Sequence, residues 1–210
     1  MAFPIPVACA DLTSALQNST WDALIVVAQD FSTIPHDGIK ASVAAAAKVD
    51  RRIGIETVTL LNDKAPGQRL VLAPTGLLHR DYDDVRCFAD VAKQAIAQAK
   101  ASGAVNPLVW VQAHADARYQ HAVEVVYLAM AQALWQPLEG REARGELAVE
   151  PVQTIGLVGV ADSVAAFVKA TEAGRRVARD LCGTEPERMT PRRFADYCVE
   201  AFASSKVRVD

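Results

Sequence analysis

No run of apolar residues in the sequence reaches the ~18 that a membrane-crossing helix requires. The N-terminus, Met1-Ala2-Phe3-Pro4-Ile5-Pro6, lacks the basic start and long apolar stretch of a secretion signal. Neither a membrane span nor an export leader is expected. Cysteine is scarce: Cys9, Cys87, Cys182 and Cys198 stand far apart, in no CxxC or zinc-knuckle spacing. They read as reduced, mostly buried thiols of a cytoplasmic protein. Basic charge is not in excess either. Lys and Arg number 22 against 25 Asp and Glu, a net charge of −3, which argues against a nucleic-acid partner. The sequence contains no GxSxG elbow, HExxH, GxGxxG or P-loop lysine. Nor do Ser, His and Asp, or Cys and His, fall in a recognisable order.

What is present is a core. At 210 residues the chain can bury about two-thirds of its unfolded surface without help from disulfides or metals. Apolar residues make up 51%, much of it alanine, so several long helices are expected. Ala23 to Ala28 is a continuous apolar run, the mark of a strand buried on both faces. Ile5 to Cys9, Pro107 to Val111 and Val152 to Val160 read as further strands. Thr57 to Leu61 and Arg69 to Ala73 flank the polar turn Asn62 to Gly67 and predict a hairpin. Helical spacing predicts Ile39 to Val49, with Asp37 as cap, then Tyr82 to Ser102 ending at Gly103, and Tyr119 to Trp135. Glu139 to Gly145 reads as a loop.

Alternating strands and helices imply an α/β fold, and the hairpin makes its layered sheet mixed rather than parallel throughout. From Asp162 the character changes. Ser163 to Leu181 is one long helix, Gly183 to Met189 a turn, and Thr190-Pro191 the N-cap and first residue of another helix, running to about Ser204. Lys206 to Asp210 resembles the start of a strand. The expected organisation is an α/β domain over residues 1–160 and a helical connector over residues 161–210.

The polar clusters carry competing readings. His114, Asp116 and His121 lie around the start of a helix and supply metal-ligand chemistry, but no short-range ligand pair, so a polar strand-to-helix edge is the preferred reading. Asp81, Asp83 and Asp84 could do acid–base work or hold a hard cation, yet three acids opening a helix are more simply explained by its dipole. His79 and Arg80, just before them, read as solvated. Gly156 to Ser163 runs strand, glycine turn, helix, an arrangement that can cradle phosphate; close packing at the end of a central strand is the preferred reading. Thr75-Gly76 after a strand is a weaker candidate of the same kind. No catalytic, cofactor-binding or metal-binding residue is therefore assigned.

One stretch has a specific likeness. Gly174-Arg175-Arg176-Val177-Ala178-Arg179-Asp180-Leu181, followed by Glu185 to Pro191, resembles the leucyl (cytosol) aminopeptidase family. There an "ARDL…MTP" segment links an N-terminal domain to a dizinc catalytic domain. Leu72 to Gly76, with Asp81 to Ala89, agrees in style. Where many family members read "ARDLVNTPAN", this sequence has Cys182 to Glu187, the pattern of a divergent branch. The family's NTDAEGR-type catalytic segment does not occur in it.

The resemblance implies a macro-domain-like N-terminal domain that does no chemistry and assists assembly and access to an active site. Its implied partner is a C-terminal catalytic domain holding two zinc or manganese ions, within a hexamer that removes N-terminal residues from peptides. Arg179, Asp180 and Met189 to Pro191 would position that domain, or else make ordinary caps and surface ion pairs. Two other readings are a stand-alone macro-like module for ADP-ribose or another nucleotide, and an oligomerisation module built on the Tyr119 to Trp135 helix or the connector.

Overall fold

The computed structural model describes residues 3–145 and 150–209. Six strands form one sheet: β1 (Ile5–Cys9), β2 (Ala23–Ala28), β3 (Val58–Leu61), β4 (Arg69–Pro74), β5 (Pro107–Val111) and β6 (Thr154–Val158). Their spatial order is β1-β6-β5-β2-β4-β3. Every pairing is parallel except that of β3 with β4, which is the hairpin foreseen from the sequence.

The apolar run of β2 sits at the centre because it can be buried on both sides. Ala23, Ile25 and Val27 face one layer of helices and Leu24, Val26 and Ala28 the other. The first layer contains α3 (Cys87–Ala101), α4 (Ala122–Ala133) and the first half of α6 (Asp162–Gly183). The second contains α1 (Leu12–Leu16) and α2 (Asp37–Ala46). Burial of each Leu, Ile or Phe in these layers contributes about 1.5–3 kcal/mol. Two short helices, α5 (Leu138–Arg144) and α7 (Pro191–Phe202), complete the set.

Helix α3 shows how local sequence sets these limits. Phe88, Ala92, Ala95, Ile96 and Ala99 form its buried stripe. Gly103 then takes φ +85°, a conformation that favours glycine. Its N–H donates to Lys100 O at 3.0 Å and Ala104 N–H to Ala99 O at 3.0 Å, closing the helix with a Schellman motif.

The mixed α/β layering agrees with the sequence, but several boundaries move. Residues 82–86 are not helical: Asp83 folds back onto Arg80 instead of opening α3. Helix α2 is capped by His36, whose Nδ1 accepts from Ile39 N–H at 3.2 Å, while Asp37 lies in its first turn. The expected loop after Glu139 is helix α5, anchored by Arg141 Nε donating to Gln136 O at 3.0 Å. Residues 206–209 form no strand, having no neighbour to pair with among the described residues. Residues 146–149 and Asp210 lie outside the described residues. Helix α1 had no sequence signal of its own beyond Asp11, whose carboxylate caps it.

Candidate functional site

In open α/β sheets the ligand crevice lies beyond the carboxyl ends of neighbouring strands whose following helices leave on opposite faces. Here β2 and β5, followed by α2 and α4, are such a pair, and their connections run in opposite directions across the sheet, to β3 and β6. Gln112, one residue past β5, occupies the crevice: its Oε1 accepts from Gln29 N–H at 2.8 Å and Asp30 N–H at 3.0 Å. The backbone donors that would meet a ligand are already satisfied. Beside it lies a cavity of about 310 Å³ lined by Trp110, Gln112, His114, Tyr119 and Gly159, with no lysine or arginine in its wall.

The glycine turn adds no anion site. Gly156 is a packing residue, since a Cβ there would stand 2.8 Å from Leu108 Cδ1 and 2.9 Å from the Trp21 ring. Gly159 has φ +78° and open space above it, but α6 begins with the carboxylate of Asp162, which repels phosphate. Thr75 N–H donates to Ala28 O at 3.1 Å, extending the sheet.

The polar clusters are committed to their own neighbours. Asp116 caps a 3-10 turn through Arg118 N–H and pairs with the Arg118 guanidinium at 2.7 Å. His114 Nδ1 accepts from Asp116 N–H at 3.3 Å and its ring meets Tyr119 edge-on, while His121 lies 3.0 Å from Glu124. The three do not converge, and among the described residues no group of three His, Cys, Asp or Glu is placed to hold a metal ion. A dizinc centre does not fit this set. Asp83 is buried against Arg80, whose hydrogen bonds pull its carboxyl down to about 2 against the opposing effect of burial. Arg118 Nη1 donates to Asp83 O at 2.9 Å, so the loop before α3 is braced by two arginines. Asp84 pairs with Arg86 at 2.6 Å; Cys182 is exposed, and the other three cysteines are half-buried.

Among the described residues a deeply buried charged cluster is centred on α6. On α6 the buried positions Ala165 and Val168 continue, at helical spacing, into Glu172, Arg176 and Asp180. Those three charged side chains are fully buried. Arg176 donates from Nε to Glu172 Oε1 at 2.9 Å, from Nη1 to Glu150 Oε1 at 2.9 Å and from Nη2 to Ala131 O at 3.3 Å. Arg179 also pairs with Glu172. One turn further on, Asp180 accepts from Trp135 Nε1 at 2.9 Å and Tyr197 Oη at 2.6 Å, and pairs with Arg141 at 2.5 Å. Asp180 thus joins the end of α4, α5, α6 and α7.

Burial alone would raise the Asp180 pKa. The bonds from Tyr197, Arg141 and Trp135 outweigh it and hold the carboxyl below its ordinary value. Glu150 goes the other way, raised by burial despite Arg176. Around this hub Thr184 Oγ1 donates to Asp180 O at 2.6 Å, Glu185 N–H donates to Glu139 Oε1 at 2.9 Å, and Arg188 pairs with Glu142. Thr190 Oγ1 caps α7 as its sequence foretold. The sequence singled out Arg179 and Asp180 but not Glu172, Arg176, Arg141, Trp135 or Tyr197. The signal available was the four-residue spacing that places 172, 176 and 180 on the buried stripe.

A mixed α/β domain that ends in a helix locked by buried charge is the architecture these residues define. No family model matches the sequence. It is 27% identical over 209 residues to the Caenorhabditis elegans protein named "Putative aminopeptidase W07G4.4", covering 93% of this chain and 39% of that protein. Its fold is similar to that of a mutant of tomato leucine aminopeptidase, with a TM-score of 0.69 and 14% identity, over 97% of this chain and 43% of the other. These likenesses bear out the resemblance to the N-terminal domain of the leucyl aminopeptidase family. The chain spans about two-fifths of the length of each of these two proteins.

Proposed function

We propose that this chain is the non-catalytic N-terminal domain of a leucine aminopeptidase-like protein, and that it sets the direction in which α7 leaves the sheet. The observation that carries this reading is the burial of Asp180 between Trp135, Arg141 and Tyr197. Buried ion pairs add little net stability, so their value here lies in fixing one geometry. On this reading residues 1–160 form the macro-like domain and residues 161–210 the connector, although α6 itself packs along β1 and α4.

The partner is then a C-terminal catalytic domain that supplies both metal ions, zinc or manganese, and cleaves N-terminal residues from peptides. The whole is a cytoplasmic homo-oligomer, a hexamer by resemblance. Among the described residues no helix is long and apolar enough to cross a membrane. A stand-alone nucleotide module has less support, because Gln112 fills the crevice and Asp162 faces the glycine turn.

The test uses the product of the complete reading frame. Asp180→Ala in that protein should lower leucyl-amide turnover at least tenfold while leaving its bound metal unchanged. Unaltered turnover, or a reading frame that ends at Asp210, would overturn the reading.

A further inference from the structure

Two histidines hold backbone amides, and both do so in the segments that leave the crevice strands. His36 ends the segment from β2 to α2, where its Nδ1 accepts from Ile39 N–H at 3.2 Å and caps the helix. His114 stands near the start of the segment from β5 to α4, where its Nδ1 accepts from Asp116 N–H at 3.3 Å. A backbone amide can only donate. Nδ1 therefore carries no proton at either position, and each ring is the neutral form with its hydrogen on Nε2.

Both imidazoles are half-buried, within reach of solvent protons. A proton on Nδ1 turns the acceptor into a donor that faces another donor. At His36 it also sets a positive charge at the N-terminus of α2, the wrong sign for the helix dipole. The carboxylate beside each ring already has a cation of its own. Around His36, Asp37 pairs with Lys40 at 2.9 Å, and Lys64, whose stem shares the space beside Gly38 with the imidazole, pairs with Asp63. Around His114, Asp116 is held by Arg118 at 2.7 Å, and the Tyr119 ring meets the imidazole edge-on at 4.5 Å. Each histidine also borders a cavity. Helix α2 gives Lys40, Val43 and Ala47 to one of about 310 Å³ that Phe31 and Ile53 help close, and His114 itself lines the one beside Gln112.

We propose that His36 and His114 are proton-sensitive latches. Neutral, they hold the two segments beside the crevice closed; protonated, they release both and reshape the two cavities while the sheet stays intact. Gln112, which does not titrate, keeps Gln29 and Asp30 in place in either state. Movement is thus confined to the first turn of α2 and the turn from His114 to Asp116. The released amides lie at loop ends, where water takes them, so the change is local and costs the whole fold little. The proposal uses no connector residue and does not rest on the aminopeptidase reading.

Nuclear magnetic resonance of the 210-residue chain tests it. At pH ~8 the ring nitrogens of His36 and His114 should show the Nε2–H form. Between pH ~8 and ~5.5 the protection factors of the Ile39 and Asp116 amides should fall about threefold or more, with those of β2 unchanged. Asn caps helices and closes such turns through its side-chain oxygen without taking up a proton. His36→Asn should therefore keep Ile39 protected at both pH values and leave Asp116 responsive, and His114→Asn should do the reverse. The ring form is read on the unaltered chain, so it decides even where a variant fails to fold. An Nδ1–H ring at either position would overturn the proposal. So would equal protection at both pH values, a fall that persists in the matching Asn variant, or a fall shared equally by β2. A response abolished by His121→Gln, whose histidine ring lies 3.0 Å from Glu124, would assign it to another group and overturn it too.

Discussion

Tyr197 on α7 donates its hydroxyl to Asp180 Oδ2 on α6 at 2.6 Å, and through that carboxylate the last helix is coupled to Trp135 and Arg141 of the domain body. A helix with no buried residue of its own is thereby held by a buried partner.

Tyr197→Phe keeps the ring and removes the bond. A hydrogen bond to a charged group contributes about 1.5–3 kcal/mol, and partial exposure of Tyr197 places the loss near the lower figure. Hydrogen exchange should quicken in α7 while the β2 and β5 amides keep their protection. Equal loss of protection in the sheet would show that the bond stabilises the fold as a whole and does not orient one helix.

Arg176→Ala leaves Glu150 buried without the guanidinium it accepts from and Glu172 with Arg179 alone, a loss of about 3–5 kcal/mol in urea unfolding. A loss below about 1 kcal/mol would place the three side chains in water.

Two carboxyls of the buried cluster, Asp180 and Glu150, give opposite slopes with pH. Asp180 is depressed, so its contribution is complete above the pKa it has in the unfolded chain and disappears as pH falls through the lower folded value. Glu150 is raised, so the folded state gains stability as pH falls from neutrality through the folded pKa towards the unfolded one. Stability measured by urea unfolding should therefore rise slightly on mild acidification and then fall below pH ~4. Glu150→Gln should remove the rise and keep the fall.

Gly156→Ala forces a methyl between Leu108 and Trp21, and overpacking of this kind costs about 1–3 kcal/mol. A lowered melting temperature checks it; an unchanged one would mean that β6 is not close-packed against Leu108 and Trp21.

Gln112→Ala should cost about 1 kcal/mol, since water can reach the two amides it releases. Faster exchange at Gln29 and Asp30 is the specific readout.

The sheet was legible because its strands are continuous apolar runs, which is what burial on both faces demands of β2, β4 and β5. The hairpin was legible from Asn62 to Gly67. The acids before α3 misled because Asp83 is satisfied by Arg80 in its own turn, while Arg118 holds the loop backbone from 35 residues away. The connector motif was visible, but its burial was not. Trp135 and Asp180 meet across 45 residues, and the local sign that the ion pairs lie inside is the spacing that sets 172, 176 and 180 on the stripe of Ala165 and Val168. Helix α5 was lost for a similar reason. Its polar sequence packs no core, and its place is set by Arg141 reaching Asp180.

The most direct measurement is release of leucine from a chromogenic leucyl amide by the pure 210-residue chain, with zinc or manganese supplied, beside the product of the complete reading frame. A domain that positions but does no chemistry gives no release above buffer, while the longer product turns over. Metal-dependent turnover by the chain alone would contradict that reading and return attention to His114, Asp116 and His121.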